Sequence, residues 1–82
     1  MDYSKLDDGA LLRLIKEGQP YGLNELYDRY GRLVYSVSFQ IVGEQAAAED
    51  VTLEVFAKVW EKAGTYRSDR GNVRTWLTGM TR

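Results

Sequence analysis

Apolar residues recur along this chain at intervals of three and four, with no sustained alternation of period two. That rhythm predicts helices and no sheet. Breaks fall at Gly18 and Pro20, at Gly43, at Gly64 and at Gly71. The predicted fold is all-α, a bundle of four helices over about 7–17, 20–42, 45–63 and 72–82. In the first, Asp7 or Asp8 can cap the free N–H groups of the opening turn, Leu11, Leu14 and Ile15 form the buried stripe, and Gly18 suits a left-handed C-terminal position. The second opens on Pro20, whose fixed φ and missing N–H suit a first helical residue. Leu23, Leu26, Tyr30, Val34, Val37 and Ile41 make one stripe along it, and Tyr35, Phe39 and Val42 a second. A helix apolar on most sides is expected at the centre of a bundle, with Ser36 and Ser38 small enough for close packing. The third sets Ala48, Val51, Val55, Phe56, Val59 and Trp60 against Asp50, Glu54, Lys58 and Glu61 on the opposite side. The fourth follows Asn72, a good N-cap, and carries Val73, Trp76, Leu77 and Met80 at i, i+3, i+4 and i+7.

At 82 residues the chain is one small domain, residues 1–82. Its core is marginal, so every helix has to contribute to it. The fourth helix is read as running to Arg82, barely three turns in, so the domain is expected to be an excised part of a longer polypeptide. The chain contains neither cysteine nor histidine. That removes disulfides, thiolate metal sites, the usual general base and the commonest metal ligand. Asp7 and Asp8 are adjacent and diverge on a helix, Glu49, Asp50 and Glu54 sit on a solvent-facing surface, and the glycines form no phosphate-binding loop. A non-enzymatic protein without cofactor or metal is expected. No apolar run approaches the roughly 18 residues of a membrane span, and the start lacks the features of a signal peptide. A cytoplasmic, reducing location without membrane insertion is the corresponding expectation.

The net charge of −1 conceals an asymmetry. Residues 1–50 hold nine acids and five bases, a net −4, and residues 51–82 hold three acids and six bases, a net +3. Two patches follow from it, each with a plain and a functional reading. On the third helix Leu53 lies between Asp50 and Glu54, with Ala57 one turn on. A single exposed leucine is ordinary, but an apolar centre with acidic flanks also suits a basic helical partner. From Lys62 to Arg82 the bases Lys62, Arg67, Arg70, Arg74 and Arg82 interleave with Tyr66 and Trp76. Such a stretch is either a solvated basic end or a nucleic-acid surface, with Arg on phosphates and an aromatic ring on an unpaired base. Trp76 fits the core stripe as well as it fits stacking, whereas Tyr66 is placed in a loop.

Three motifs in order give the chain a family resemblance. Glu25-Leu26-Tyr27 with Tyr30 opens the second helix. Ala48-Glu49-Asp50-Val51, Glu54-Val55-Phe56 and Val59-Trp60 run along the third. Tyr66-Arg67, Gly71 and Trp76-Leu77 follow it. In that order and spacing, from about Leu6 to Arg82, the chain resembles region 2 of the extracytoplasmic-function (ECF) sigma factors of bacterial RNA polymerase. The resemblance implies a transcription initiation domain whose third helix docks on the clamp helices of the polymerase β′ subunit, through Asp50, Leu53, Glu54 and Ala57. It also implies that Tyr66, Arg67, Ser68, Arg70, Asn72 and Arg74 meet the non-template strand of the promoter −10 element and capture a flipped base, with Lys62 and Trp76 in the same basic stretch. Extruding a base costs a few kcal/mol, and stacking on an aromatic returns roughly 1–3 kcal/mol, so phosphate and polymerase contacts would supply the rest. An anti-sigma protein is a further implied partner. A helical domain that binds such a regulator without recognising DNA is the alternative function.

Two positions depart from the family pattern. Leu53 stands where the family usually has Gln, so contact there is expected to be apolar. Val73 stands where it usually has Phe, a smaller plug under the loop. The family also continues beyond the position of Arg82 into a linker and a helix-turn-helix domain for the −35 element. Residues 1–82 alone are therefore expected to bind the clamp better than they recognise promoter DNA.

Overall fold

The computed structural model describes residues 2–82 and contains four helices, with no strand among the described residues. They are α1 (Asp8–Lys16), α2 (Pro20–Val42), α3 (Gln45–Lys62) and α4 (Val73–Gly79). Three short 3₁₀ turns join or precede them, at Tyr3–Lys5, Ala63–Thr65 and Ser68–Arg70. The sequence pattern did not reveal these turns, because three residues are too few to show a period.

Of the two candidate caps for α1, Asp7 is the one used: its carboxylate accepts from the Ala10 N–H at 2.8 Å. Gly18 ends the helix with φ +84°, the left-handed geometry expected of it. Leu11, Leu12 and Ile15 are buried, while Leu14 is half-buried. Gly22 lets α2 close on α1: a Cβ there would lie 3.1 Å from both the Leu11 carbonyl oxygen and the Leu14 Cβ. Gly43, at φ +72°, ends α2, and Glu44 alone separates it from α3. So short a link makes α2 and α3 an antiparallel pair, with Tyr27 of the early α2 meeting Phe56 of the later α3 edge-on (centroids 4.9 Å apart). Leu26 and Val34 from α2 and Ala48, Val55 and Val59 from α3 are buried between them, and Val73 and Leu77 of α4 are buried in the same core.

Serine and threonine bury cleanly where the helix can satisfy them. Ser38 and Thr52 donate to the carbonyls of Val34 and Ala48, each four residues earlier, at 2.7 and 2.8 Å. Among the described residues no buried side-chain nitrogen or oxygen lacks a hydrogen bond.

Three expectations need correcting. The later turns of α2 are not wrapped on most sides: Phe39, Ile41 and Val42 are exposed, because nothing among the described residues covers them. Of the two small serines there, Ser38 is buried and Ser36 is exposed. Trp60 is also exposed, at 41%. It follows Val59, which points straight into the core, and one residue turns an α-helix by about 100°. Finally, α4 is seven residues long and closes at Gly79. Met80 and Thr81 then donate to Leu77 and Thr78, three residues back, in a tightened last turn.

One polar cluster ties the N-terminal segment to the bundle. The Arg29 guanidinium on α2 donates to Glu25 (2.9 Å), to Asp8 (3.0 Å), and to the carbonyls of Tyr3 (3.0 Å) and Ser4 (3.1 Å). Desolvation opposes its charge, but the hydrogen bonds to Glu25 and Asp8 outweigh it and raise its pKa above the usual arginine value. Tyr30 donates its hydroxyl to the other Asp8 oxygen. Asp8 is therefore a buttress between α1 and α2, leaving the capping role to Asp7.

Candidate functional site

The helical repeat sets Asp50, Leu53, Glu54 and Ala57 within about 100° of arc on α3. All four are exposed, and the opposite side of the helix is core. Leu53 is 62% exposed, so it forms a free apolar knob with carboxylates on its flanks. The predicted patch thus exists as one contiguous face. Tyr27, Gly31, Arg32 and Tyr35 of α2 and Glu49, Thr52 and Leu53 of α3 line an open groove of about 910 Å³ beside it. Gly31 keeps its floor low: a Cβ there would stand 3.3 Å from the Tyr27 ring.

The residues after α3 form a second surface. Lys62 ends the helix, about 18 Å along its axis from Asp50 at 1.5 Å per residue. Lys62, Arg67, Ser68, Arg70, Asn72 and Arg74 are all exposed. Two constraints shape the loop between α3 and α4. Tyr66 donates its hydroxyl to the Gly71 carbonyl at 3.0 Å, and Gly71 adopts φ +130° and ψ 170°, a conformation essentially confined to glycine. Asn72 then starts α4 by accepting from the Thr75 N–H at 2.8 Å. Its oxygen is occupied by that cap, leaving the amide N–H groups to face a ligand. Arg67 lies 3.4 Å from Asp69 in an exposed ion pair, a weak association that a phosphate can replace.

The aromatic residues sit differently from a free stacking platform. The Tyr66 ring meets the Trp76 ring edge-on, with centroids 5.4 Å apart, and both rings are half-buried. Trp76 therefore faces the core as its stripe implies, and Tyr66 packs on it despite lying in a loop. Val73 is buried at the start of α4. A cleft of about 630 Å³ is lined by Tyr66, Ser68 and Asn72 on one side and by Asp7, Asp8, Arg13 and Lys16 at α1 on the other, so Arg13 and Lys16 stand beside the basic stretch with two carboxylates in the same cleft. These two bases escaped the sequence reading because they stand some fifty residues from the basic stretch, and only the packing of α1 brings them beside it.

Among the described residues no three acidic groups converge to hold a metal ion, and no helix is long and apolar enough to cross a membrane.

The family model described as Sigma-70 region 2 matches residues 26–82. The chain is 29% identical over 79 residues to the ECF RNA polymerase sigma factor BldN of Streptomyces coelicolor, covering 93% of this chain and 30% of that protein. It is 30% identical over 74 residues to the ECF RNA polymerase sigma factor SigK of Mycobacterium ulcerans, covering 90% of this chain and 40% of that protein. The chain therefore spans well under half the length of these relatives. No solved structure matches it. A match over most of the chain, on an all-helical fold with the motifs in order, places it: the chain belongs to the sigma-70 region 2 family, of the kind found in ECF RNA polymerase sigma factors.

Proposed function

We propose that residues 1–82 act in transcription initiation by docking on the β′ clamp helices of RNA polymerase through α3 and by engaging the promoter −10 element through the loop between α3 and α4. The observation that carries the docking half is the exposed face of Asp50, Leu53, Glu54 and Ala57 on a helix whose opposite side is core. Its carboxylates would pair with bases of the coiled coil, and the Leu53 knob would bury against an apolar side chain where a glutamine would have made a polar contact.

The DNA half rests on Lys62, Arg67, Ser68, Arg70, Asn72 and Arg74, all exposed, and on Arg13 and Lys16 of α1 beside them. Arginines there would bind phosphates, while Ser68 and the Asn72 amide would meet the edge of an extruded base. Because Tyr66 is held by Trp76 and by Gly71, its contribution is to shape the loop and offer one face of its ring. Anisotropy of a labelled single strand carrying a −10-like sequence tests this half. Binding that falls steeply with salt and weakens in Arg67→Ala and Arg70→Ala supports it. Salt-independent binding, or none, leaves a protein-interaction domain bound by an anti-sigma regulator as the better reading.

A further inference from the structure

The exposed face of α3 continues past Ala57. Trp60 follows Leu53 by seven residues, which turns it back to within about 20° of the same direction, about 10.5 Å further along the axis. It is 41% exposed and pairs with no other aromatic ring among the described residues. Leu53, Ala57 and Trp60 therefore make one exposed apolar line at i, i+4 and i+7. Asp50, Glu54 and Glu61, all exposed, fall about 60–100° to one side of that line. Glu49 falls about 40° to the other side, and Lys58, about 140° round, lies outside the face.

Resting on the docking reading above, we propose that Trp60 is a second apolar anchor of that face, and that a clamp helix meets it with an apolar residue about seven positions from the one that meets Leu53. A lone exposed leucine is ordinary surface. A leucine and a tryptophan in line on one helix, with only the small Ala57 between them, leave two raised points and a dip that a partner side chain can enter. Helices that cross at about 20° stay in contact over such a length. Seven residues is also the repeat of a coiled-coil helix, so a clamp helix can present both apolar positions on one outer side. Tryptophan buries more apolar area than leucine and is enriched among the few residues that dominate binding. The acids along one edge then require bases of the partner, while Leu53 and Trp60 supply the buried centre.

The test is titration of the isolated β′ clamp coiled coil, with any tryptophan of its own replaced by phenylalanine, into the 82-residue chain. Calorimetry gives the affinity and tryptophan emission reports the surroundings of Trp60. The wild type should shift to shorter wavelength on binding, and Trp60→Phe, which keeps Trp76, should show no shift. Trp60→Ala should weaken binding by about tenfold or more, and Trp60→Phe should retain it within a few-fold. Circular dichroism verifies that both variants keep the fold, and the wild-type emission tests the contact without any substitution. If the wild type binds with unchanged emission, or Trp60→Ala keeps its affinity, Trp60 is no anchor, while docking through Asp50, Leu53 and Glu54 stands. If the wild type does not bind at all, the docking reading fails and takes this inference with it.

Discussion

Replacing Leu77 by alanine is expected to release α4 from the bundle while leaving the other helices in place. Leu77 is fully buried, and α4 has only seven residues. Isolated helices shorter than about 12–15 residues are marginal in water, so α4 depends on its anchors. Only Val73 and Leu77 within it are buried. A buried Leu→Ala change costs about 2–5 kcal/mol, depending on how far the site can collapse. Two turns with few long-range contacts can shift inward, so the lower half of that range, about 2–3 kcal/mol, is expected. Urea denaturation followed by far-ultraviolet circular dichroism measures the loss. Tryptophan emission reports where it occurs. Trp76 is half-buried against Tyr66, whereas Trp60 on α3 is already exposed and supplies a constant background. The variant should show red-shifted emission in low urea, before most of the helical signal is lost, and weaker single-strand binding because Asn72 and Arg74 leave their places. A stability change below about 1 kcal/mol with unshifted emission would refute the view that Leu77 holds α4.

Two further perturbations probe the loop and the polar cluster. Gly71→Ala puts a Cβ on a backbone at φ +130°, which should cost about 1–3 kcal/mol and weaken strand binding; thermal melting with anisotropy measures both, and an unchanged melting point would mean the loop relaxes freely. Tyr30 has a pKa raised above the ordinary 10.0, first by its hydrogen bond to Asp8 and then by burial. Folding therefore holds its proton on, and the stability this contributes is complete below the ordinary pKa and lost as pH rises through the folded value. Urea midpoints measured from about pH 8 to pH 11 should fall less steeply at the alkaline end in Tyr30→Phe than in the wild type, and identical slopes would contradict the bond to Asp8.

The fold was legible because helix period, caps and breakers agreed. Pro20, Gly18, Gly43 and Asn72 stand where chain geometry needs them, and the Asp50 and Leu53 face follows from spacing alone. What stayed hidden depends on which elements meet. An apolar periodicity cannot tell a residue facing the core from one left uncovered, so Phe39, Ile41 and Trp60 were assigned to the interior. Arg29 stands four residues after Glu25 on α2, and its reach to Asp8 and two carbonyls of the N-terminal segment joins residues more than twenty positions apart, which spacing along the chain does not show. Similarly, Tyr66 lies in a loop by sequence, and only the packed Trp76 ring shows that one of its edges is taken.

Docking of α3 on the polymerase clamp is the central claim, and reversing its charges tests it most directly. The double variant Asp50→Arg, Glu54→Arg alters two exposed side chains and should leave the fold intact. Titrated against the isolated β′ clamp coiled coil, it should bind at least about tenfold more weakly than the wild type, the loss expected when close interfacial ion pairs become repulsive. Equal affinity for the two proteins would contradict the account.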